Sequence, residues 1–332
     1  MKRSNSLLLL LLVALVGCAL NPTPSPVPTP GQRSGTLRVE VPASVYIPDL
    51  PWLIACDALR EMGYTLETMD LQVTDLHVAA LDKGDMDLSW LNTQAAYTAV
   101  SKGAKIVEIL DRSSNLNLIV TKTSIATCAD LQGKSIAVPG VTSPSALMMN
   151  AYVERTCPGT VPELLVVSGK RNRNAALLTG AVDGVIEEVD GLIQLQRERP
   201  GEFHAICYYA REFPEVMIYT AVVRRAFAEQ NPQAVRDIIQ TTMVARRSLR
   251  DQEALEEAIV RYLEYTPEQA KESAKVYLEF GTWDYEGAYD LAKVQATLRF
   301  MQRAGAVPDS LEASDVADLS YYQAALAELD GR

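Results

Sequence analysis

The stretch Ser135-Ile-Ala-Val-Pro-Gly-Val-Thr-Ser143 holds a strand, a turn and a helix start within nine residues. Its apolar opening predicts a strand over 135–139, Gly140 permits a tight turn, and Ser143 followed by proline is typical of a helix N-terminus. The chain continues with a helix over 143–155, a strand over 163–167, a helix over 173–178 and a strand over 182–187. This βαβαβ order predicts a mostly parallel sheet covered by helices.

The same order of elements occurs upstream. We expect strands over 37–42, 64–71 and 86–91, and helices over 51–62 and 74–83, the second capped by Thr74. The motif Leu81-x-x-Gly84-x-x-Asp87 is repeated as Leu177-x-x-Gly180-x-x-Asp183, with each glycine ending a helix and each aspartate opening a strand. A match this short also arises by chance. Together with the repeated βαβαβ order, it predicts two α/β lobes built to one plan.

The last hundred or so residues have a purely helical pattern. Apolar residues recur at helical spacing over 231–254, 289–304 and 313–329, and Thr266-Pro-Glu-Gln269 has the form of a capping box with proline at the first helical position. This tail adds no strand to either sheet. We expect it to pack against the first lobe.

The N-terminus has the features of an export signal. Lys2 and Arg3 precede an apolar run over 7–16, which is too short for a permanent membrane span of roughly 20 residues. Leu15-Val-Gly-Cys18 resembles the bacterial lipobox, in which the cysteine is acylated and the signal is cleaved before it. The alternative is an ordinary secretory signal with an incidental cysteine. We expect residues 1–17 to be the signal peptide and the acylated Cys18 to anchor the protein to the outer face of a cell membrane.

A proline-rich segment follows the predicted lipidation site. Asn21-Pro-Thr-Pro-Ser-Pro-Val-Pro-Thr-Pro30 has proline at nearly every second position, which excludes helix and sheet and favours an extended spacer. It is either a tether over 18–35 or a ligand for a proline-binding module. We favour the tether, which holds the folded body away from the membrane.

The charge of the chain restricts its partners. Removal of the signal takes away two positive charges and moves the formal net charge from −11 to −13. This excess of acid argues against binding to nucleic acid and against broad docking on anionic lipid. It does not exclude an anionic small molecule, because a local pocket can differ from the overall field. We expect a monomer that needs neither a cofactor nor a metal.

Four cysteines remain after Cys18, and they allow three pairings. Cys128 precedes a predicted strand and Cys157 ends the helix after that strand, so both belong at the same end of one βα unit. We favour a disulfide between these two. Cys56 lies in a predicted helix, where we expect a buried free thiol.

Three motifs resemble a known family. They are Asp130-Leu-Gln-Gly-Lys-Ser-Ile-Ala-Val138, the turn Pro139-Gly-Val-Thr-Ser143, and the run from Leu177 to Asp183. They are similar to motifs of the extracytoplasmic solute-binding proteins of ABC importers, in the branch that serves nitrate, sulfonates, taurine and thiamin-pyrimidine precursors. The resemblance implies a small-molecule ligand, and a permease and an ATPase as partners.

The resemblance also implies a fold, the type II periplasmic-binding-protein fold. In that fold, two lobes are joined by two crossover strands and the ligand lies in the cleft between them. On this plan the first lobe comprises 37–120 and 220–332, and the second comprises 121–219. The crossings are then expected near 118–121 and 218–222.

The candidate site residues lie in loops after strands, because ligands of open α/β sheets collect beyond the carboxyl ends of the strands. These loops carry aromatic, hydroxyl, amide and carboxylate groups. We expect the ligand to contact Ser44, Tyr46, Trp90, Asn92, Thr93, Asn115, Thr142, Ser143, Glu187 and Glu188.

Each of these residues also has a purely structural interpretation. Trp90 and Tyr46 are suited to stacking on a flat ring, or else they are buried under neighbouring elements. Ser143 either presents the start of its helix to a ligand or only caps that helix. Glu187 and Glu188 end a strand, so one is expected to face the cleft and the other to point away.

Three basic residues near the start of a predicted helix have two interpretations. Lys170, Arg171 and Arg173 are placed to neutralise an anionic ligand, but they also fit a solvated surface. We favour the surface.

The ligand class stays open between two alternatives. Aromatic residues and acids favour an aromatic heterocycle, such as a thiamin-pyrimidine precursor or a riboflavin-like vitamin. The alternative is a sulfonate, taurine or nitrate anion. A ligand sensor is a less favoured role, and so is an enzyme. The pyrimidine synthases of the same fold family use a histidine-rich site and a cysteine-rich motif, whereas this chain has two histidines and neither motif.

The anchor can be tested directly. The variant Cys18→Ser removes the acylated thiol, so the protein should leave the membrane fraction or stay unprocessed while its body folds normally. Fractionation of cells expressing either form measures this. Unchanged attachment of the variant to membranes would reject the lipobox interpretation.

Overall fold

The computed structural model describes residues 33–42, 45–71 and 73–331. The expected signal peptide (1–17), the lipidated Cys18, the greater part of the tether and Ser44 lie outside the described residues. Ten strands in the described part form two sheets: β1 Thr36–Glu40, β2 Thr65–Met69, β3 Leu88–Asn92, β4 Ile106–Asp111, β5 Asn117–Lys122, β6 Ser135–Val138, β7 Glu163–Val166, β8 Gly184–Glu188, β9 Phe203–Tyr208 and β10 Tyr219–Arg224.

Helices surround both sheets in the described residues. They are α1 Leu50–Glu61, α2 Thr74–Lys83, α3 Thr93–Ser101, α4 Pro144–Thr156, α5 Lys170–Leu178, α6 Val189–Glu198, α7 Tyr209–Glu212, α8 Arg225–Gln230, α9 Pro232–Ser248, α10 Gln252–Leu263, α11 Pro267–Phe280, α12 Leu291–Arg303, α13 Ala313–Val316 and α14 Ser320–Leu329. Short 3-10 turns occur at Ile47–Asp49 and Cys128–Leu131. Among the residues with a described placement, no helix has the length and apolarity that a membrane crossing requires.

The two sheets have the same strand order. The first sheet runs β2-β1-β3-β10-β4 and the second runs β7-β6-β8-β5-β9. In the first sheet β1 pairs in parallel with β2 and β3, and β10 is antiparallel to both of its neighbours. In the second sheet β5 takes the antiparallel position between β8 and β9. Four of the five strands in each sheet therefore run parallel, as the βαβαβ pattern predicts.

The antiparallel strand of each sheet arrives directly from the other lobe. The chain leaves β4 and enters β5 through residues 112–116, and it returns from β9 to β10 through residues 209–218. The segments expected as crossings, 118–121 and 218–222, lie largely within β5 and β10 themselves. The boundary expected after residue 120 thus falls inside a strand that is hydrogen bonded to the second sheet.

The repeated glycine–aspartate motif has a physical explanation. Gly84 has a positive φ of 83° just after α2, a conformation that other residues adopt at a cost. Asp87 then accepts a hydrogen bond from the backbone N–H of Arg38 in β1 at 3.0 Å. Its second oxygen lies 3.3 Å from the guanidinium of Arg224, at the end of β10. One carboxylate thus fixes β1 and the returning strand together.

The second lobe repeats this arrangement. Gly180 has a φ of 75° after α5. Asp183 accepts from the backbone N–H of Ser135 in β6 at 3.1 Å and pairs with Lys122, at the end of β5, at 3.4 Å. The motif marks the same structural position in both lobes, so its recurrence is not a chance match.

The helical tail packs mainly on the first lobe, with one departure from the expectation. Helices α9 and α10 contact α1, whereas α11 contacts α6 of the second lobe. Arg197 of α6 lies 2.6 Å from Glu272 of α11, and the apolar faces of α10 and α11 share a core with residues of the second lobe. The α10–α11 pair therefore bridges the lobes.

Of three helix boundaries predicted from local sequence signals, one is confirmed and two differ from the structure. The capping box at Thr266 is present, because its hydroxyl accepts from the N–H of Gln269. The expected N-cap Thr74 is wrong, since α2 begins at Thr74 and Val73 holds the N-cap position without a side-chain bond. The helix expected over 231–254 ends at Ser248, and Asp251 caps the next one.

The cysteines are arranged as the sequence favours. Cys128 and Cys157 form a disulfide with their Cα atoms 5.9 Å apart. Cys56 and Cys207 are buried free thiols.

A buried ion network fixes the start of the first crossing. Asp111, the last residue of β4, lies 2.8 Å from Arg246 of α9 and 2.8 Å from Lys293 of α12. Asp111 and Arg246 have side chains no more than 2 % exposed. Burial acts to raise the pKa of Asp111, but the two cations outweigh it and lower the pKa to about 2. The crossing is therefore tied to the helical tail by charges that water does not screen.

Removal of this carboxylate should destabilise the protein strongly. Asp111→Asn leaves Arg246 buried without a counter-charge, which costs on the order of 3–5 kcal/mol of unfolding free energy. The exposed Glu202, paired with Arg199, gives a matched control, and Glu202→Gln should cost about 0–1 kcal/mol. Denaturant unfolding at pH 7 measures both.

The pH dependence supplies a second arm of this test. Because the folded pKa of Asp111 lies below its ordinary value of 3.8, its contribution is present above about pH 4 and is lost as the pH falls through about 2. The variant and the parent should therefore converge in acid. Equal stability of Asp111→Asn and Glu202→Gln at pH 7 would contradict the buried network.

Candidate functional site

A cavity of about 380 Å³ lies between the lobes, at the carboxyl ends of the parallel strands. Both lobes and both crossings contribute to its lining. This volume falls in the range of small-molecule sites. Six of the residues predicted from the sequence line it: Tyr46, Trp90, Asn92, Ser143, Glu187 and Glu188.

Three other predicted residues are placed elsewhere. Thr93 is fully buried at the start of α3, where its hydroxyl donates to the carbonyl of Met217 at 2.9 Å and holds the second crossing. Asn115 is buried and donates to the sulfur of Met148 at 3.0 Å. Thr142 is exposed and does not line the cavity. Neighbours of these residues in the chain line the cavity, but Thr93, Asn115 and Thr142 are not among the lining residues.

The interpretation of the basic residues as solvated surface is wrong for two of the three. Lys170 and Arg173 line the cavity, whereas Arg171 is exposed. Helix α5 begins at Lys170 rather than at residue 173, so Lys170 and Arg173 are three residues apart on one helical face. That face is turned towards the end of β8.

Six other lining residues are not among the ligand contacts predicted from the sequence. They are polar or aromatic and lie at strand ends or on the crossings: Glu40, Asp49, Arg112, Asn117, Ser145 and Tyr219. Glu40 is the last residue of β1, so the strand-end rule points to it directly. Arg112 and Tyr219 owe their position to the crossings, which the sequence places only approximately.

Lys170 is the centre of the charged group in the second lobe. Its ammonium lies 2.5 and 2.6 Å from the two carboxylate oxygens of Asp190, 3.3 Å from Glu188 and 3.6 Å from Glu187. It also lies 4.5 Å from the centre of the Tyr46 ring, which belongs to the first lobe. Burial lowers the pKa of Lys170, but the three carboxylates outweigh it and raise the pKa, so the lysine stays charged.

Glu187 is buried, and one of its oxygens is unpaired. Oε1 accepts from the backbone N–H of Glu188 at 2.9 Å, and Oε2 has no hydrogen-bond partner. A Cβ at position 191 would lie 2.1 Å from Cγ of Glu187, so Gly191 leaves the space that this side chain needs. Burial raises the pKa of Glu187 to about 7, although Lys170 and Arg173 act to lower it.

The expected alternation of the two glutamates is wrong. Both Glu187 and Glu188 line the cavity. Glu188 holds the N-cap position of α6, so the chain is already turning and the alternation of the strand no longer applies. Burial acts to raise the pKa of Glu188, but Lys170 and Arg112 outweigh it and lower the pKa.

The first lobe also contributes a fixed carboxylate. Oε2 of Glu40 accepts from the backbone N–H of Trp90 at 2.8 Å and from the hydroxyl of Ser89, and it lies 3.1 Å from Nδ1 of His77. Trp90 is partly exposed and meets Trp52 edge to face, with ring centres 6.1 Å apart. Its indole N–H has no partner among the described residues.

The floor of the cleft holds a second ion pair. Nε of Arg112 donates to Asp49 at 2.9 Å, and its guanidinium lies 4.9 Å from the centre of the Tyr219 ring. Ser143 caps α4 by accepting from the N–H of Ala146 at 3.3 Å, and it lines the cavity as well. The capping role of Ser143 is therefore confirmed, and its contact with a ligand stays a prediction.

The described residues that line the cavity carry more acid than base. Four are carboxylates (Glu40, Asp49, Glu187 and Glu188) and three are cations (Arg112, Lys170 and Arg173). Asp190, which contacts Lys170, adds a fifth acid. Among the described residues, no group of three or more His, Cys, Asp or Glu side chains is placed to hold a metal ion.

Comparison with known proteins supplies a family and a fold. A family model described as NMT1/THI5 like matches residues 67–249, which is 183 of the 332 residues. No curated protein matches the sequence. Several solved structures are similar over nearly their whole length.

Three of these structures illustrate the likeness. The ligand-binding component of an ABC-type import system from Staphylococcus aureus, with zinc bound, has a TM-score of 0.72 at 14% identity over 87% of this chain and 98% of its own. The periplasmic aliphatic sulphonate-binding protein SsuA from Escherichia coli has a TM-score of 0.66 at 16% identity, with coverage of 87% and 99%. The periplasmic nitrate-binding protein NrtA from Synechocystis PCC 6803 has a TM-score of 0.69 at 13% identity, with coverage of 92% and 91%. At these identities the likeness shows the fold, which is the two-lobed periplasmic-binding-protein fold.

The charged group around Lys170 yields a prediction. Lys170→Met leaves three buried carboxylates without their cation, which should cost on the order of 3–5 kcal/mol of unfolding free energy at pH 8. At pH 5 the loss should be smaller, because the stranded carboxylates take up protons. Denaturant unfolding at both pH values measures this, with Lys170→Arg as the matched control that keeps the charge. A loss of the same size at pH 5 and pH 8 would contradict a charge-based role for Lys170.

Proposed function

The chain belongs to the NMT1/THI5-like family, and from that premise we propose that it is the solute-binding component of an ABC importer. In this proposal it works outside the cytoplasm as a monomer, held at the membrane by lipidated Cys18, and it delivers its ligand to a permease with an ATPase. The observation that carries the proposal is the cavity of about 380 Å³ between two lobes of equal topology. The roles named for the structural relatives, in ABC-type import and in sulphonate and nitrate binding, support it.

We propose that the ligand is a flat aromatic heterocycle with hydrogen-bond donors, such as a thiamin-pyrimidine precursor or a riboflavin-like vitamin. Three aromatic side chains, Tyr46, Trp90 and Tyr219, line the cavity and offer faces or edges to a ring. Glu40 and Glu187 line the same cavity and accept hydrogen bonds. A ligand with N–H or O–H groups satisfies these carboxylates, whereas an anion is repelled by them.

A sulfonate or nitrate anion is the second candidate. Ser143 at the start of α4, together with Lys170 and Arg173, supports it, since a helix N-terminus and nearby cations favour an anion. The cations are already engaged, however. Lys170 contacts three carboxylates, and Arg173 donates to the carbonyls of Ile186 and Val167. For this reason we place the heterocycle first.

We propose binding rather than catalysis. Glu40, Ser89 and His77 contact one another, but only Glu40 of the three lines the cavity in the described structure. The serine hydroxyl is therefore not presented to a bound molecule. A ligand sensor that docks on a membrane receptor is the remaining alternative role. If deletion of a permease gene that neighbours the gene of this protein abolishes ligand uptake, the importer role is favoured over the sensor role.

Paired titrations test the ligand class. Trp90→Ala should weaken binding of a pyrimidine or flavin probe by about 1–3 kcal/mol, roughly ten- to a hundredfold, because apolar contact is lost. Ser143→Ala should have little effect on the same probe. Intrinsic fluorescence and calorimetry measure both, with Trp90→Phe as the variant that keeps a ring.

The opposite pattern identifies the second candidate. If ethanesulfonate binds the parent and Ser143→Ala weakens it while Trp90→Ala does not, the heterocycle proposal falls. Small-angle scattering adds a separate test of the two-lobe role, because a bound ligand should reduce the radius of gyration at constant mass. Binding with no compaction would count against closure of the lobes.

A further inference from the structure

Acidic side chains outnumber basic ones in the cavity lining, and this imbalance restricts the chemistry of the ligand. Resting on the proposed binding role, we propose that the cleft selects a ligand with a cationic N–H group, held between Glu187 of the second lobe and Glu40 of the first. An amidinium or a protonated amino-heterocycle has this chemistry. The ligand class, a flat ring with hydrogen-bond donors, is thereby restricted to flat rings that carry a positive charge.

The acids in and around the cavity outnumber the cations. The five acids in and behind the lining face three permanent cations, and His77 lies 3.1 Å from Glu40, so two negative charges are left when all the acids are ionised and His77 is neutral. Arg112 is matched by Asp49, and Lys170 together with Arg173 is outnumbered by Glu187, Glu188 and Asp190. Buried charges without partners are costly. A cation in the cavity therefore completes the pairing that the protein leaves unfinished.

The side chain of Glu187 is fully buried and lines the cavity, yet Oε2 has no partner. The nearest cation, Lys170, lies 3.6 Å from Oε1 and is closer to Asp190. Gly191 is required for the side chain to fit. The fold thus makes room for a carboxylate and leaves one of its oxygens without a donor.

The contacts of Glu40 with Trp90, Ser89 and His77 all use Oε2, and no described residue donates to Oε1. Its position is fixed by the backbone of β3, so it does not turn away from the cavity. Each lobe thus contributes a lining carboxylate with one oxygen that has no donor, Oε1 of Glu40 and the buried Oε2 of Glu187, and a group with several N–H donors can satisfy both as the lobes close around it.

Burial raises the pKa of Glu187 to about 7, so near neutral pH a proton occupies the carboxylate for part of the time. The groups that face it are Lys170 and Arg173 of α5, Glu188 of β8 and Asp190 of α6. When a cationic N–H pairs with Oε2, this proton leaves to solvent. Binding of a cation should therefore strengthen as the pH rises through about 7.

Three benzene derivatives that differ in charge form a matched set of probes. Benzamidine is a flat cation with N–H groups, benzamide is its neutral counterpart, and benzenesulfonate is the anion. Calorimetric or competition titration at pH 8 should give benzamidine at least about tenfold tighter binding than benzamide, with benzenesulfonate weakest. Benzamide or benzenesulfonate binding as tightly as benzamidine would overturn the proposal.

Variants assign the preference to the two carboxylates. Glu187→Gln and Glu40→Gln should each bring benzamidine to within about threefold of benzamide, since the amide keeps the shape and removes the charge. Glu163→Gln, on exposed β7, is the control and should leave the ratio unchanged. Persistence of the full preference in both cleft variants would reject the assignment, and native circular dichroism confirms that they fold.

The pH profile provides a separate readout. At pH 6 the parent should bind benzamidine about tenfold more weakly than at pH 8, because about one-tenth of Glu187 is then ionised. Glu187→Gln should lose this dependence, whereas His77→Gln should keep it, which separates Glu187 from the histidine beside Glu40. A pH-independent parent would overturn the proton release. If benzenesulfonate binds more tightly than benzamidine, the preference for a cationic ligand is rejected and the solute-binding role stands. If none of the three probes binds at 10 mM, both the preference for a cation and the solute-binding role are rejected.

Discussion

The return of β10 to the first sheet, after the whole second sheet has been formed, is the constraint on which the rest of the structure depends. Because β5 to β9 form the second sheet and β10 returns to the first, between β3 and β4, the chain must cross twice between the lobes. The crossings bring Arg112 and Tyr219 to the floor of the cleft, where the parallel strands of both sheets end. Asp87 and Asp183 then fix the antiparallel strands, β10 and β5, to β1 and β6. The strand order and the two crossings thus set the position of the site, and the side chains determine its chemistry.

The ratio of carboxylates to cations in the cleft differs from that in the buried network around Asp111. At Asp111, one buried carboxylate is matched by two cations, and its pKa falls. Around Lys170 the ratio is reversed, and the pKa of Glu187 rises because burial outweighs the available positive charge. A network that serves only stability gains nothing from an excess of acid. We therefore attribute the imbalance to the binding role proposed for the cavity.

The sequence predicts the architecture better than the site. Strand and helix periods and the glycine–aspartate motif follow from local patterns, which act over a few residues, and the Cys128–Cys157 pair follows from the βα unit that those patterns predict. Lys170 and Arg173 were misassigned because α5 starts three residues earlier than its apolar pattern indicates, and that shift decides which face meets the cleft. Thr93 was misassigned because a distant carbonyl, that of Met217, takes up its hydroxyl. Such choices depend on tertiary contacts that no local pattern encodes.

The helical tail limits how the lobes can move. Closure of a cleft requires rotation about the crossings, yet α11 touches α6 of the second lobe while α10 touches α1 of the first. The links differ in strength. The pair between Arg197 and Glu272 is solvent-exposed and worth little, whereas the network of Asp111 is buried. Rotation of the lobes must therefore disturb the apolar core that α10 and α11 share with the second lobe, and not only this ion pair. The network of Asp111 holds the first crossing on the tail, and the Lys170–Tyr46 contact links the two lobes across the cleft.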